Sequence, residues 1–214
     1  MASQAQEITG PEVGHEAEWS GGTSPYAIPS KKLGMWLFIV SDAITFSAIL
    51  IAYSYTRTST EVWPRPFPSA SIINATVMTL VLLTSSVTMV LAVRAAKMGF
   101  RSRAAGWLVA TLMGGILFDV LHLHEWFGLI HEGVTPWSNP WGTPQFGATF
   151  FGLTGLHMTH VTIGVVYLAI VALGTVRGKF NADDVEVSGL YWHFVDLVWM
   201  FIFPLVYLLS AKIG

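Results

Sequence analysis

Residues 71–93 read SIINATVMTLVLLTSSVTMVLAV, twenty-three positions without a charged side chain. About 20 predominantly apolar residues are needed for a helix to cross the hydrocarbon core of a bilayer. Four more stretches of this kind occur, at 33–55, 104–130, 146–176 and 189–211. The stretch 104–130 carries Asp119 and Glu125, and 146–176 is long enough to tilt or protrude. The sequence therefore predicts an all-α fold, a polytopic bundle of five transmembrane helices.

The segments between them support the division. Trp63-Pro64-Arg65-Pro66-Phe67-Pro68 cannot be helical, because proline lacks the backbone donor and clashes with the preceding turn. Residues 133–144 hold three Pro and two Gly, and 178–188 are polar; both are expected to be loops. Residues 1–30 are polar, with Glu7, Glu12, Glu16 and Glu18, and lack the basic start and apolar run of a signal peptide. They are expected to form a solvated N-terminal tail, with residues 31–214 making up one bundle. No internal repeat or low-complexity tract is present.

Composition agrees. The chain is 53% hydrophobic and 11% charged, against about 25% charged in a soluble domain. With no Cys, thiolate metal sites and Cys-linked haem are excluded. A net charge of −2 without a basic patch argues against nucleic acid as a partner. Lys31, Lys32, Arg94, Lys97, Arg101, Arg103, Arg177 and Lys179 fall in loops on one side, and Arg57, Arg65 and Lys212 on the other. Positive charge favours the cytoplasmic side, so the N-terminus is expected in the cytoplasm and the C-terminus outside.

Asp42, Asp119, Glu125 and Asp196 lie inside the expected spans, as do His122, His124, His157, His160 and His193. A charge at mid-membrane costs about 3 kcal/mol or more, so these groups must be neutral, paired or near an interface. At 100° per residue, Trp192, Asp196 and Trp199 share a stripe of the fifth helix, with His193 near enough to Asp196 for a hydrogen bond. His157 and His160 share a face of the fourth. Asp119, His122 and Trp126 line the third, where His122 neighbours Glu125.

Four readings compete. Such residues hold helices together, ligate haem or copper, relay protons, or line a pocket for lipid head groups. Gly34, Gly114, Gly115, Gly152, Gly155 and Gly164 read as close helix contacts. Thr84, Ser85, Ser86 and Thr88 can bond back to their own helix. Pro204 is expected to kink the last span.

One stretch carries more. YWHFVDLVW at 191–199 resembles the YWHFVDxVW motif of subunit III of the haem–copper oxidases. GATFF at 147–151 with TGLHMTHV at 154–161, LHLHEW at 121–126, TSSVT at 84–88 and the helix from Trp36 to Tyr53 with its Ser41-Asp42 pair resemble further family motifs in order. The resemblance runs from residue 31 to 211 and is to the short, five-helix bacterial form. Departures are Asp42, where cytochrome c oxidases usually carry Glu and quinol oxidases often Asp, His122 for Gln, Met158 for Gly and Trp126 for Tyr.

The resemblance implies an accessory, non-catalytic subunit of a bacterial terminal oxidase, here assigned to a cytochrome c oxidase. Its place is the cytoplasmic membrane, beside subunit I, with subunit II and other respiratory subunits as further partners. It implies no redox centre, cofactor or metal in this chain, haem and copper residing in the partners, and phospholipids as ligands. Subunit III of this family supports proton uptake and turnover stability. Carried over, Asp42, Glu125, His157, His160, Trp192, His193 and Asp196 line or brace a lipid cleft; Arg177 meets a lipid phosphate, and Glu186 matches a family glutamate. A quinol oxidase, a nitric oxide reductase accessory protein, a stand-alone b-type cytochrome and a proton-coupled transporter are the alternatives.

Overall fold

The computed structural model describes residues 30–212. The expected polar tail, residues 1–30, falls almost wholly outside the described residues. Five long helices follow: α1 (Ser30–Ser59), α2 (Ser69–Lys97), α3 (Arg101–His131), α4 (Pro144–Val176) and α5 (Ala182–Ile202). Each is long and apolar enough to cross a membrane, and the chain is a multi-pass membrane protein. Among the described residues the only β pairing is an isolated bridge between Phe67 and Ala211.

The helices overrun the expected spans, most of all at α5, which starts at Ala182 rather than 189. The cause is a capping box in a stretch expected to be a loop. The Asn181 side chain accepts from the Asp184 amide, and the Asp184 carboxylate accepts from the Asn181 amide, both at 3.0 Å. At the other end, Pro204 widens the helix into a π turn over Phe203–Tyr207, followed by a 3₁₀ turn at Leu208–Ser210. The removed donor is thus absorbed by a change of helical pitch.

The ends of α2, α3 and α4 share one device. The amides of Phe100, Val134 and Lys179 reach back to the carbonyls of Ala95, Leu129 and Gly174, each at 2.9 Å. Gly99, Gly133 and Gly178 take the positive φ values (81°, 83° and 70°) that this closure needs. Where Gly99 and Gly178 stand, the connections to the next helix are correspondingly short.

α5 is the hub. It packs on α2, α4 and α1, while α3 packs on α2 and α4. α1 lies outermost, mainly against α5 and α4, and buries only Phe46 and Tyr53. The interior is aromatic: Trp192, Trp199, Phe118, Phe150, Phe67 and Tyr207 are fully buried. Phe67 stacks on Tyr207 at 4.6 Å, and Phe118 meets Trp199 edge-on at 4.7 Å. The end opposite the basic loops is tied by Arg57, which donates to Ser210 Oγ at 2.8 Å and to the Leu209 carbonyl at 2.6 Å. There the Lys212 amide also donates to the Phe67 carbonyl at 2.9 Å.

Candidate functional site

The carboxyl and imidazole groups inside the helices are distributed over several helix contacts. Between α1 and α4, His160 Nε2 stands 3.0 Å from Asp42 Oδ2. This is ion-pair distance, though no donor is aimed along a hydrogen-bond direction at that oxygen. The other ring nitrogen, Nδ1, lies 2.8 Å from the Leu156 carbonyl, which only accepts, so Nδ1 carries a hydrogen. A carboxyl set against an imidazole places two groups that can share charge between two membrane helices, where an isolated charge is costly.

His157, one turn before His160, points the other way, into the core. It stacks on Trp199 at 5.3 Å and meets Phe118 at 5.6 Å. His122 of α3 touches the same two rings, at 5.5 Å each. Both imidazoles are fully buried, and none of their four nitrogens has a hydrogen-bond partner among the described residues.

On α5 the hydrogen bond expected between His193 and Asp196 does not form. His193 Nδ1 pairs instead with Ser86 Oγ of α2 at 2.7 Å, because the ring turns out of its own helix toward a hydroxyl that has no bond to its own backbone. Thr84, Ser85 and Thr88 do bond back, to Leu80, Leu82 and Ser85. Asp196 is buried, with Oδ1 unpartnered. Trp192 donates from Nε1 to Ser85 Oγ at 3.0 Å. Its ring fills the space left by two glycines. A Cβ at Gly115 would lie 2.5 Å from the ring, and one at Gly164 3.0 Å. Close contact, the reading given to these glycines from sequence, is what they provide, as it is at Gly114 and Gly155; Gly34 and Gly152 do not follow it, since a Cβ at either would meet nothing within 4 Å among the described residues.

Glu125 likewise leaves its neighbour His122 and accepts from Asn74 Nδ2 of α2 at 3.0 Å. Asp119 leaves the His122–Trp126 stripe and accepts from Thr162 of α4 at 3.0 Å. In both cases the spacing along one helix names a possible partner, and a neighbouring helix offers a better placed donor.

Glu186 stands at the basic end, between Lys32 of α1 at 2.5 Å and Lys97 of α2 at 2.7 Å; Lys31 pairs with Asp184 at 2.8 Å. Three helices meet through one carboxylate. Exposed ion pairs contribute about 0–1 kcal/mol each. Glu186→Gln is therefore expected to lower stability by about 1 kcal/mol at low salt, and thermal unfolding in detergent should show the deficit fading as salt is raised. Arg177, exposed at the end of α4, makes no ion pair among the described residues.

The structure thus brings Asp42 to His160, places His157 beside Trp199, and sends His193 and Trp192 to α2. Glu125, Glu186 and Arg177 stand apart from these. Asn74, Ser86 and Thr162, which the sequence reading did not single out as partners, complete three of the contacts. Asn74 left a signal, being the one amide side chain in the span 71–93. No group of three or more His, Asp or Glu placed to hold a metal ion occurs among the described residues.

A family profile described as "Cytochrome c oxidase subunit III" matches residues 8–211. Cytochrome c oxidase subunit 3 of Alkalihalophilus pseudofirmus is 32% identical over 185 residues, 85% of this chain and 88% of that protein. Cytochrome bo(3) ubiquinol oxidase subunit 3 of Pseudomonas aeruginosa is 31% identical over 206 residues, 94% of this chain and 93% of that one. Quinol oxidase subunit 3 of Bacillus spizizenii is 31% identical over 181 residues, 83% and 86% of the two chains. Five membrane-length helices, the motifs along them and a match over nearly the whole length agree: the chain belongs to the cytochrome c oxidase subunit III family.

Proposed function

We propose that this chain is the accessory subunit III of a haem–copper terminal oxidase, a cytochrome c oxidase, in a bacterial cytoplasmic membrane. It packs chiefly against subunit I, with subunit II nearby, and carries no redox centre of its own. Its N-terminus and the three basic segments, at 31–32, 94–103 and 177–179, face the cytoplasm, in keeping with the charge bias of the loops. It holds phospholipids and sustains proton uptake and turnover stability of the catalytic subunit. Residues 31–214 act as one folding unit behind a solvated tail.

One observation supports this reading above the others. The polar groups inside the spans join helices of this chain to one another, as Asp42–His160, Asn74–Glu125, Ser86–His193 and Thr162–Asp119. That is the arrangement of a scaffold. Asp42–His160 supplies such a contact on the α1–α4 side.

Affinity purification through this chain, from its native membrane in mild detergent, is the test. A haem protein with oxygen-consuming activity is expected to co-purify, and the complex lacking this chain is expected to lose activity faster during turnover. A solitary chain without haem would overturn the proposal, and a Soret band from the isolated chain would indicate a cytochrome instead.

A quinol-oxidising complex is the second reading. It is favoured by aspartate rather than glutamate at position 42 and by the coverage of the ubiquinol oxidase relative. Oxygen uptake with reduced cytochrome c against ubiquinol as donor distinguishes the two.

A further inference from the structure

At the basic end, α2 and α5 enclose a trough of about 430 Å³. Its floor is Gly189, where a Cβ would come within 3.2 Å of Met89 and 3.3 Å of Val93, so the two backbones approach closely there. Val90 and Leu190 form apolar walls. The mouth carries Arg94, Lys97 and Glu186, and the inner end stops at His193, held by Ser86. From Glu186 to His193 is seven residues of helix, about 10 Å at 1.5 Å per residue. The trough therefore runs from a charged mouth into the hydrocarbon layer.

The charges at the mouth do not balance. Glu186 is matched by Lys32 and Lys97, and Arg94, one turn before Lys97, is in no ion pair among the described residues. Two cations and one carboxylate line the mouth, and Lys32 reaches that carboxylate from outside the trough, so the Arg94 charge is left over an apolar slot; His193, the remaining titratable group of the lining, lies at the far end. An apolar slot beneath a cation suits an amphiphile with an anionic head and a hydrocarbon tail. Guanidinium is the side chain best shaped to grip a phosphodiester.

The structure assigns this trough as a binding site for one anionic glycerophospholipid, its phosphate on Arg94 with Lys97 and one acyl chain along Val90 and Leu190 toward His193. The assignment rests on the lipid-holding role proposed above but places the headgroup on α2 and α5. Arg177, at the end of α4, is not part of it.

The test uses the full complex, delipidated in detergent and then titrated with phosphatidylglycerol, phosphatidylethanolamine or inorganic phosphate, with bound lipid counted by native mass spectrometry. Wild type is expected to retain one phosphatidylglycerol that phosphatidylethanolamine and phosphate do not displace. Arg94→Gln is expected to weaken its retention about tenfold, as the loss of one charge-assisted contact implies, while Arg177→Gln leaves it unchanged. Leu190→Trp, which fills the slot without altering charge, is expected to expel the same lipid. Equal retention in Arg94→Gln and wild type would overturn the site while leaving the broader lipid role standing. Displacement by phosphate alone would make it an anion site rather than a lipid site. Crosslinking of a photoreactive side chain at Leu190 to another protein would make it an interface. A wild-type complex that retains no lipid would defeat both readings.

Discussion

Trp192→Ala is expected to lower the unfolding free energy of the bundle by about 3 kcal/mol, the lower end of what buried Trp truncations cost. The lower end applies because lipid, unlike water, gives little hydrophobic return for helix association, and close packing carries the stability instead. This indole reaches from α5 to Ser85 of α2, past Gly115 of α3 and against Gly164 of α4. Its removal opens a void where four helices meet. The mirror experiment is Gly115→Val. A Cβ there would sit 2.5 Å from Trp192 and 2.6 Å from Val165, and the ring cannot retreat because Gly164 backs it. Thermal unfolding of the detergent-solubilised protein should report a clear fall for both variants. A Trp192→Ala protein that melts with wild type would remove the indole from its place as the keystone of the fold.

The second large effect is a coupling. His160→Leu leaves Asp42 without its partner, and Asp42→Leu does the same to His160; each is expected to cost about 3 kcal/mol. The double variant Asp42→Leu with His160→Leu removes both polar groups and is expected to cost no more than about 1 kcal/mol, because replacing both members of a pair held out of water with apolar groups is near neutral. The resulting interaction energy of several kcal/mol would be read from a double-mutant cycle. Asp42→Asn is milder, since its amide can still donate to the ring nitrogen. Strictly additive single variants would mean that the 3.0 Å approach contributes nothing.

The five spans could be read from the chain because a bilayer imposes a minimum apolar length, and only helices satisfy their backbone there. Their ends were less visible. The Asn181–Asp184 capping box, which begins α5 well before its apolar run, lies in residues whose composition alone suggests a loop. The site was legible in kind but not in its pairings. Helical spacing put His193 beside Asp196 and His122 beside Glu125, yet His193 went to Ser86 and Glu125 to Asn74. Spacing describes one helix, and the choice among partners belongs to the helix opposite. His157 and His160, three residues apart, ended in different surroundings for the same reason. One faces Trp199 and the other faces Asp42.

The position of α1 has a consequence for biosynthesis. Its main packing partners are α4 and α5, and Arg57 near its end is held by Leu209 and Ser210. A ribosome delivers α1 before those partners. While α2 and α3 are being made, α1 therefore waits in the bilayer with its seam uncovered, and that seam closes only once α4 and α5 have followed.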